Sequence, residues 1–200
     1  MEQMDYRINK QTLLDILGQW NGFLRRKIHL IACGGTALTL LDIKSSTKDV
    51  DFLVPDEAEY RYLIKLLIDL GYQRTTGAGW QKKEEKFIFD LFPGKRIHTT
   101  ELLASPLEEG NHILLKEFSR LYVGIINHYD LIASKLFRGA SVDFEDCLML
   151  VRARKDVIDI KRFIQHFKEL ASYDISEDRI GVHLNHFLDL LGKEKLYGES

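Results

Sequence analysis

A glycine pair followed by an alternating acidic strand constrains this chain more than any other feature. The segment, residues 33–55, reads CGGTALTLLDIKSSTKDVDFLVP. The apolar run IHLIA before the glycines predicts a buried strand, and TALTLLD after them predicts a helix. The stretch DVDFLVP alternates and ends at a proline, which is typical of a second strand. The segment therefore predicts a strand, a tight turn, a helix and a further strand, in that order.

Two aspartates share one face of the second predicted strand. Residues two apart on a strand project from the same side, roughly 7 Å apart, so Asp49 and Asp51 are expected to stand together. Val50, Phe52 and Val54 then point to the other face, into the core. Two carboxylates this close repel each other unless a cation lies between them. Mg²⁺ takes carboxylate and phosphate oxygens together, so we predict a magnesium site here.

The glycine turn is the second half of the predicted site. Gly34 and Gly35 lie between the first strand and the helix. Glycine lets a backbone approach a ligand closely, and the start of a helix presents free N–H groups to an anion. Thr36 adds a hydroxyl donor. These residues predict a phosphate-binding turn, and a metal site beside it suits phosphoryl or nucleotidyl transfer.

A third carboxylate is found in the later apolar stretch KFIFDLFPG, where Asp90 is flanked by Phe89 and Leu91. An unpaired charge buried in such a strand is costly, so Asp90 either reaches the surface or has a partner. We predict that it shares the metal with Asp49 and Asp51.

These motifs resemble those of the DNA polymerase beta-like nucleotidyltransferase superfamily. Its signature is an apolar residue, then Gly and Gly or Ser, a spacer, and Asp-x-Asp among apolar residues; here thirteen residues separate Gly35 from Asp49. The resemblance implies that Asp49, Asp51 and Asp90 bind Mg²⁺ together with an NTP. It further implies that a nucleoside monophosphate moves to an acceptor hydroxyl, for which Asp90 is the candidate base.

A second region, YDLIASKLFRGASVDFEDCLMLV, is similar to the AbiEii-type branch, which includes toxins of type IV toxin–antitoxin pairs. That branch carries the motifs GGTxL and T-K-D-x-D, which are found here at residues 34–38 and 47–51. Further along the chain it has a helix with an Asp, a Lys and a basic residue, followed by a second helix that begins with aspartates. Val142 stands where the branch has a basic residue. The likeness implies RNA, a tRNA 3′ end or a protein hydroxyl as acceptor, and a cognate antitoxin as partner. The matching residues of the two later helices are Asp130, Lys135, Arg138, Asp143 and Asp146.

Lys135 and Arg138 lie three residues apart and therefore share a face of the predicted helix. Lysine acts on phosphate as a point charge, and arginine grips it with two donors. We predict that Lys135 neutralises the triphosphate and that Asp143 or Asp146 holds Lys135 in place. By the resemblance, Arg138 and Asp146 join the nucleotide-binding residues. The alternative is a surface ion pair, which contributes little.

Strand patterns fill the first half of the chain, and helical patterns fill the rest. We expect an α+β fold, with a mixed-sheet nucleotidyltransferase core over 1–126 and a helical C-terminal region over 127–200. YQRT, GWQKKEE and KFIFDLFPG read as antiparallel partners, and further strands are expected near 113–117 and at RLYVGII. Helices are predicted at NKQTLLDILGQWNGFLRRK, at DEAEYRYLIKLLIDLG, briefly at 100–104, and near 128–138, 143–154, 158–171 and 177–191.

Composition excludes several classes of protein. The formal net charge of −2 over 200 residues does not supply the basic field of a duplex-DNA binder. Cys33 and Cys147 match no disulfide framework or zinc motif and predict two buried thiols. No signal peptide or membrane span is recognisable, so we expect a cytoplasmic protein without a membrane partner.

Three functions remain open on the sequence alone. The first is a Mg²⁺-dependent nucleotidyltransferase. The second is a catalytically inactive nucleotide- or partner-binding module that kept the fold. The third is a small-molecule nucleotidyltransferase of the aminoglycoside-modifying kind. An open acidic pocket beside the metal site favours the third, because such substrates are cationic, whereas a basic groove favours RNA.

Overall fold

The computed structural model describes residues 6–198, and the chain divides into two compact units. The first unit contains the chain up to His98 together with Ala104–Ile126. The second unit contains Thr99–Leu103 and the chain from Asn127 onward. Thr99–Leu103, which the sequence assigned to the core over 1–126, thus clusters with the C-terminal helices.

Seven strands of the first unit form one mixed sheet. They are β1 (Ile28–Ala32), β2 (Val50–Val54), β3 (Tyr72–Arg74), β4 (Gly79–Lys82), β5 (Phe89–Pro93), β8 (His112–Glu117) and β9 (Leu121–Ile126), with the two-residue strands β6 (Arg96–Ile97) and β7 (Thr100–Glu101) between β5 and β8 in the chain. The order in the sheet is β3-β4-β5-β2-β1-β9-β8. The pairs β2/β5 and β1/β9 are parallel, and the other pairs are antiparallel.

Three helices accompany this sheet in the first unit: α1 (Lys10–Phe23), α2 (Gly34–Leu40) and α3 (Glu57–Asp69). The Asn9 side chain accepts a hydrogen bond from the backbone N–H of Thr12 and so caps α1, as expected for an Asn before a helix. The apolar stripe of α1 is buried through Leu13, Leu17 and Trp20. Helical spacing of apolar residues therefore decided which face of α1 enters the core.

The second unit contains four helices: α4 (His128–Arg138), α5 (Ser141–Ala153), α6 (Ile160–Ala171) and α7 (Glu177–Lys193). Asn127 caps the start of α4, and Gly139 ends it in the left-handed conformation with φ of 70°. The rings of Phe163, Phe167 and Phe187 pack together in the buried centre. Within residues 6–198, none of the helices combines the length and the apolar character that crossing a bilayer requires.

The predicted α+β class with a mixed sheet is confirmed, and so are the two long helices of the first half and the four of the second. The helix predicted at 100–104 is wrong: Thr100–Glu101 is a two-residue strand, and irregular backbone follows it. So short a stretch cannot offset the cost of helix nucleation without a packed apolar face, and it begins at the β-branched Thr100.

The predicted alternation of β2 is only partly correct. All five residues of β2 are buried, because this strand lies in the middle of the sheet and α2 and α3 pack against it. Asp49 lies in a bend just before the strand and is exposed, whereas Asp51 lies within it. The two aspartates therefore differ in environment, although the sequence placed them on one strand face.

Candidate functional site

Asp51 and Asp90 lie side by side on adjacent strands. In the parallel pairing of β2 with β5, the Cα of Asp51 is the partner of the Cα of Asp90. Neighbouring strands lie about 4.8 Å apart, and paired residues project from the same face of a sheet. Asp51 is only 8% exposed, and Asp90 is half-buried. The fold thus brings two of the predicted carboxylates together.

Asp49, the third predicted carboxylate, shares a pocket with Asp90. The pocket has a volume of about 310 Å³, at the lower end of the range of roughly 300–1,000 Å³ found for ligand sites. Burial raises the pKa of the Asp90 carboxyl, and the nearby charge of Asp49 raises that pKa further. The residues that line the pocket are Asp49, Thr75, Thr76, Gly77, Ala78, Ile88, Asp90, Phe92 and His98.

Gly34 and Gly35 make room for polar side chains of the site. Gly34 has φ of +57°, and a methyl group built on it would overlap with Oδ2 of Asp51. A methyl group built on Gly35 would lie 2.8 Å from Oγ1 of Thr47. Any larger residue at either position would displace these groups, and at Gly34 it would also adopt a strained backbone conformation. Glycine is therefore needed at both positions to leave room for the side chains of Asp51 and Thr47. This requirement is separate from the phosphate-binding role that the sequence predicts for the two glycines.

Thr36 is buried, and its hydroxyl forms hydrogen bonds with the backbone of both aspartates. It donates a hydrogen bond to the carbonyl oxygen of Asp49 (3.2 Å) and accepts one from the backbone N–H of Asp51 (2.9 Å). The hydroxyl of Thr47 donates to the same Asp49 carbonyl (3.0 Å). The sequence predicted Thr36 as a hydroxyl donor to phosphate, whereas its contacts here fix the backbone of the two aspartates.

Asp49, Asp51 and Asp90 do not by themselves form a complete set of metal ligands in the described part of the chain. Across residues 6–198, no group of three or more His, Cys, Asp or Glu side chains is arranged so that it could hold a metal ion. Mg²⁺ is commonly bound by one or two carboxylates together with substrate phosphates and water, so a complete protein cage is not required for it. The magnesium site at Asp49, Asp51 and Asp90 stays a prediction.

Lys135 lies in a buried charge network within the second unit. Its Nζ is 2.7 Å from Oδ2 of Asp146 and 3.6 Å from Oδ1 of Asp143, and its side chain is only 3% exposed. This excludes the surface ion pair that the sequence left as the alternative for Lys135. Both carboxylates lie close enough to balance the charge of the Lys135 ammonium group within the protein. The role of Lys135 in neutralising a triphosphate stays a prediction.

Arg138 completes this network from its exposed side. Its Nε lies 2.8 Å from Oδ2 of Asp143, and its Nη2 contacts Oδ1 of the same carboxylate, a two-donor grip. The Arg138 side chain is 46% exposed. Burial alone would raise the pKa of the Asp143 carboxyl, but the hydrogen bond and charge of Arg138, with the charge of Lys135, hold that pKa below its ordinary value. The nucleotide-binding roles of Arg138 and Asp146 also stay predictions.

Several residues of the first unit were missed by reading the sequence. Thr75, Thr76, Phe92 and His98 line the pocket, and Thr47, noted only as part of a motif, bonds to Asp49. Within the described chain, Oγ1 of Thr75 is buried without a hydrogen-bond partner. The stretch TTGAG reads as an ordinary turn between two strands, so no local signal marked it as part of a pocket.

Comparisons with known proteins support the fold. No protein-family model matches the chain, and no curated protein sequence matches it. The crystal structure of ANT(2″)-Ia in complex with adenylyl-2″-tobramycin is similar, with a TM-score of 0.52 and 12% identity over 81% of this chain and 94% of that one. At this identity the similarity shows a shared fold, and it confirms the nucleotidyltransferase fold that the sequence predicts.

Two further structures resemble the chain more distantly. One is an antigenic nucleotidyltransferase-like protein from Paracoccidioides brasiliensis, with a TM-score of 0.48 and 10% identity over 88% of this chain and 95% of that one. The other is a putative nucleotidyltransferase from H. pylori, with a TM-score of 0.46 and 15% identity over 96% of this chain and 100% of that one.

Proposed function

We propose that this protein is a Mg²⁺-dependent nucleotidyltransferase that moves a nucleoside monophosphate from an NTP to an acceptor hydroxyl. The observation that carries the proposal is the register that sets Asp51 beside Asp90, with Asp49 and Asp90 lining one pocket. The fold shared with ANT(2″)-Ia is consistent with this chemistry.

The donor set fits magnesium. Asp49, Asp51 and Asp90 offer only carboxylate oxygens, which are hard ligands. The charge of Asp49 acts on the Asp90 carboxyl, and a cation would relieve that repulsion. The carboxylate of Asp51 occupies the space that a side chain at Gly34 would take, so it lies directly against the glycine turn. When bound, the ion would supply charge neutralisation of the triphosphate and of the leaving pyrophosphate.

The chain's own residues would then bind and orient the reactants. Asp49 and Asp51 would hold the ion that neutralises the triphosphate, and Gly34 and Gly35 would offer backbone N–H groups to its phosphates. Asp90, which lines the pocket, would accept the proton of the acceptor hydroxyl. Catalysis of this type rests mainly on positioning and on charge neutralisation, so a small number of fixed carboxylates suffices.

The pocket favours a small acceptor that is neutral or cationic and carries hydroxyl groups. Its described lining contains the carboxylates of Asp49 and Asp90 and no lysine or arginine, so apart from the metal that would bind the NTP it offers no cation to the phosphate backbone of an RNA acceptor. ANT(2″)-Ia, of similar fold, was crystallised with an adenylylated tobramycin. We therefore place an aminoglycoside-like acceptor ahead of RNA, a tRNA 3′ end or a protein. The AbiEii-type assignment, a toxin role and a cognate antitoxin remain the second candidate, which rests on the motif match alone.

The proposal is tested by incubating the purified protein with each labelled NTP and Mg²⁺, separately with tobramycin, total tRNA and cell lysate. We expect label on tobramycin with at least one NTP, and loss of transfer in Asp49→Ala and Asp90→Asn. Asp69→Asn, a change of an exposed carboxylate at the end of α3, serves as the matched control and should stay active.

Each other outcome selects among the remaining functions. Label on tRNA or protein alone favours the AbiEii-type candidate. An NTP- and Mg²⁺-dependent thermal shift without turnover supports the inactive binding module. No transfer with any nucleotide, or full activity in Asp49→Ala, contradicts the enzyme proposal.

A further inference from the structure

The acidic segment, residues 49–51, loses its regular pairing with β1 at the start of β2, while Asp51 stays paired with Asp90 of β5. The backbone N–H of Cys33 donates to the carbonyl of Asp51 (3.1 Å), which continues the antiparallel pairing of β1 with β2. The carbonyl of Cys33 would return that bond in a regular ladder, but it accepts from the N–H of Ala37 (3.0 Å), because α2 begins there. The N–H of Asp51 therefore needs another acceptor.

The hydroxyl of Thr36 supplies that acceptor. It receives the N–H of Asp51 at 2.9 Å and donates its own hydrogen to the carbonyl of Asp49 at 3.2 Å. One hydroxyl thus bridges both aspartates across Val50. Thr36 is fully buried, so water cannot replace the bridge without a change in the fold.

A second hydroxyl converges on the same carbonyl. Thr47 donates to the carbonyl of Asp49 at 3.0 Å, which gives both lone pairs of that oxygen a donor. Thr47 is itself held by a two-way backbone bridge to Ile8, with N–O distances of 2.8 and 2.9 Å. Gly35 has no side chain at the place where the Thr47 hydroxyl sits. The glycine after Gly34 therefore serves this contact.

We propose that Thr36 and Thr47 are positioning residues that set the Asp49 and Asp51 carboxylates before any ligand binds. This inference rests on the proposed function for its consequence, since the aspartates act on the metal-bound nucleotide. The three hydrogen bonds of this hydroxyl clamp, made by Thr36 and Thr47, go to backbone atoms of Asp49 and Asp51 at the start of β2 and hold that backbone in place. Thr36 contributes to both aspartates and Thr47 to one, so Thr36 has the larger effect.

The test compares hydroxyl removal with hydroxyl retention at the same position. Thr36→Val keeps the shape and removes the hydroxyl, whereas Thr36→Ser keeps the hydroxyl. Thr39→Val is the matched control: Thr39 is equally buried in α2, and its hydroxyl donates to the carbonyl of Gly35, away from the aspartates. Amide hydrogen exchange of Asp51 is measured in the ligand-free protein, and Mn²⁺·ATP binding is measured by calorimetry.

We expect Thr36→Val to speed exchange of the Asp51 amide by about 10-fold and to weaken Mn²⁺·ATP binding by a similar factor, because the buried Asp51 N–H loses its acceptor while the Asp49 carbonyl keeps Thr47 as a donor. Thr36→Ser should restore both, and Thr47→Val should weaken Mn²⁺·ATP by roughly 3-fold. Thr39→Val should leave both unchanged.

Equal effects of Thr36→Val and Thr39→Val on binding would overturn the inference and reduce Thr36 to an ordinary core residue. Unchanged Asp51 exchange in Thr36→Val would also overturn it, whether or not nucleotide binds. A wild-type protein that binds none of the four NTPs in the presence of Mn²⁺ counts against the proposed function instead, and the exchange measurement still decides whether the clamp exists.

Discussion

The Cα of Asp51 is paired with the Cα of Asp90 across the parallel strands β2 and β5, in the middle of the seven-stranded sheet. This register makes one site from two motifs that are distant in the chain. The neighbouring turn at Gly34 completes it, because the Asp51 carboxylate occupies the space where a side chain at that position would stand.

Gly34→Ala should both destabilise the protein and abolish nucleotidyl transfer. The φ of +57° costs an alanine about 1–2 kcal/mol, and the overlap with Asp51 adds about 1–3 kcal/mol. Gly110→Ala is the control, because Gly110 has φ of +84° and no described neighbour within 4 Å of the added methyl. Urea unfolding should show the greater loss for Gly34→Ala; equal losses for the two variants would mean that the Asp51 contact contributes nothing.

The sequence predicted the parts of this site better than their assembly. Caps, apolar spacing and turn residues are local, so helices such as α4 and α7 begin where expected. Strand partners are set by contacts distant in sequence, so the parallel pairing of β2 with β5 had no local signal. For the same reason, the exposed position of Asp49 and the engaged hydroxyl of Thr36 were missed. The sequence predicted that Lys135 meets a carboxylate but left open whether it is Asp143 or Asp146.

Lys135→Met should lower the free energy of unfolding by about 3–5 kcal/mol, because it takes the buried ammonium group away from the Asp146 carboxylate and leaves Arg138 as the cation beside Asp143. Lys10→Met breaks the more exposed ion pair with Asp42 and should cost less than about 1 kcal/mol. Urea unfolding of both variants measures the difference. A loss for Lys135→Met as small as that for Lys10→Met would contradict the buried network.

Arg138→Ala should change the pH dependence of stability. The pKa of Asp143 is lowered in the folded protein, so its ionised form stabilises the fold above the unfolded pKa of about 3.9, and this stabilisation is lost as the pH falls through the folded value. Wild type should therefore exceed Arg138→Ala in melting temperature at pH 6, and the gap should shrink below about pH 4. Thermal scans from pH 2.5 to pH 7 check this; a gap that is equal at pH 3 and pH 6 would show that the charge pair is not its source.

Thr75→Val should leave the free energy of unfolding unchanged or raise it by up to about 1 kcal/mol, and urea unfolding measures this change. The Thr75 hydroxyl is buried and has no described hydrogen-bond partner, so its replacement by a methyl group removes an unsatisfied polar atom. Thr36→Val, which breaks two hydrogen bonds, should show the opposite sign. A decrease in the free energy of unfolding of more than about 1 kcal/mol for Thr75→Val would contradict this and would indicate that the hydroxyl has a hydrogen-bond partner inside the protein.

Magnesium-dependent nucleotide binding tests the central claim most directly. Calorimetry with a non-hydrolysable NTP should show binding in Mg²⁺ and none in EDTA. Asp51→Asn should weaken binding by at least about 10-fold, and the control Asp69→Asn should bind as wild type does. Equal binding in Mg²⁺ and EDTA, or wild-type affinity in Asp51→Asn, would contradict a metal and nucleotide site at Asp51 and Asp90.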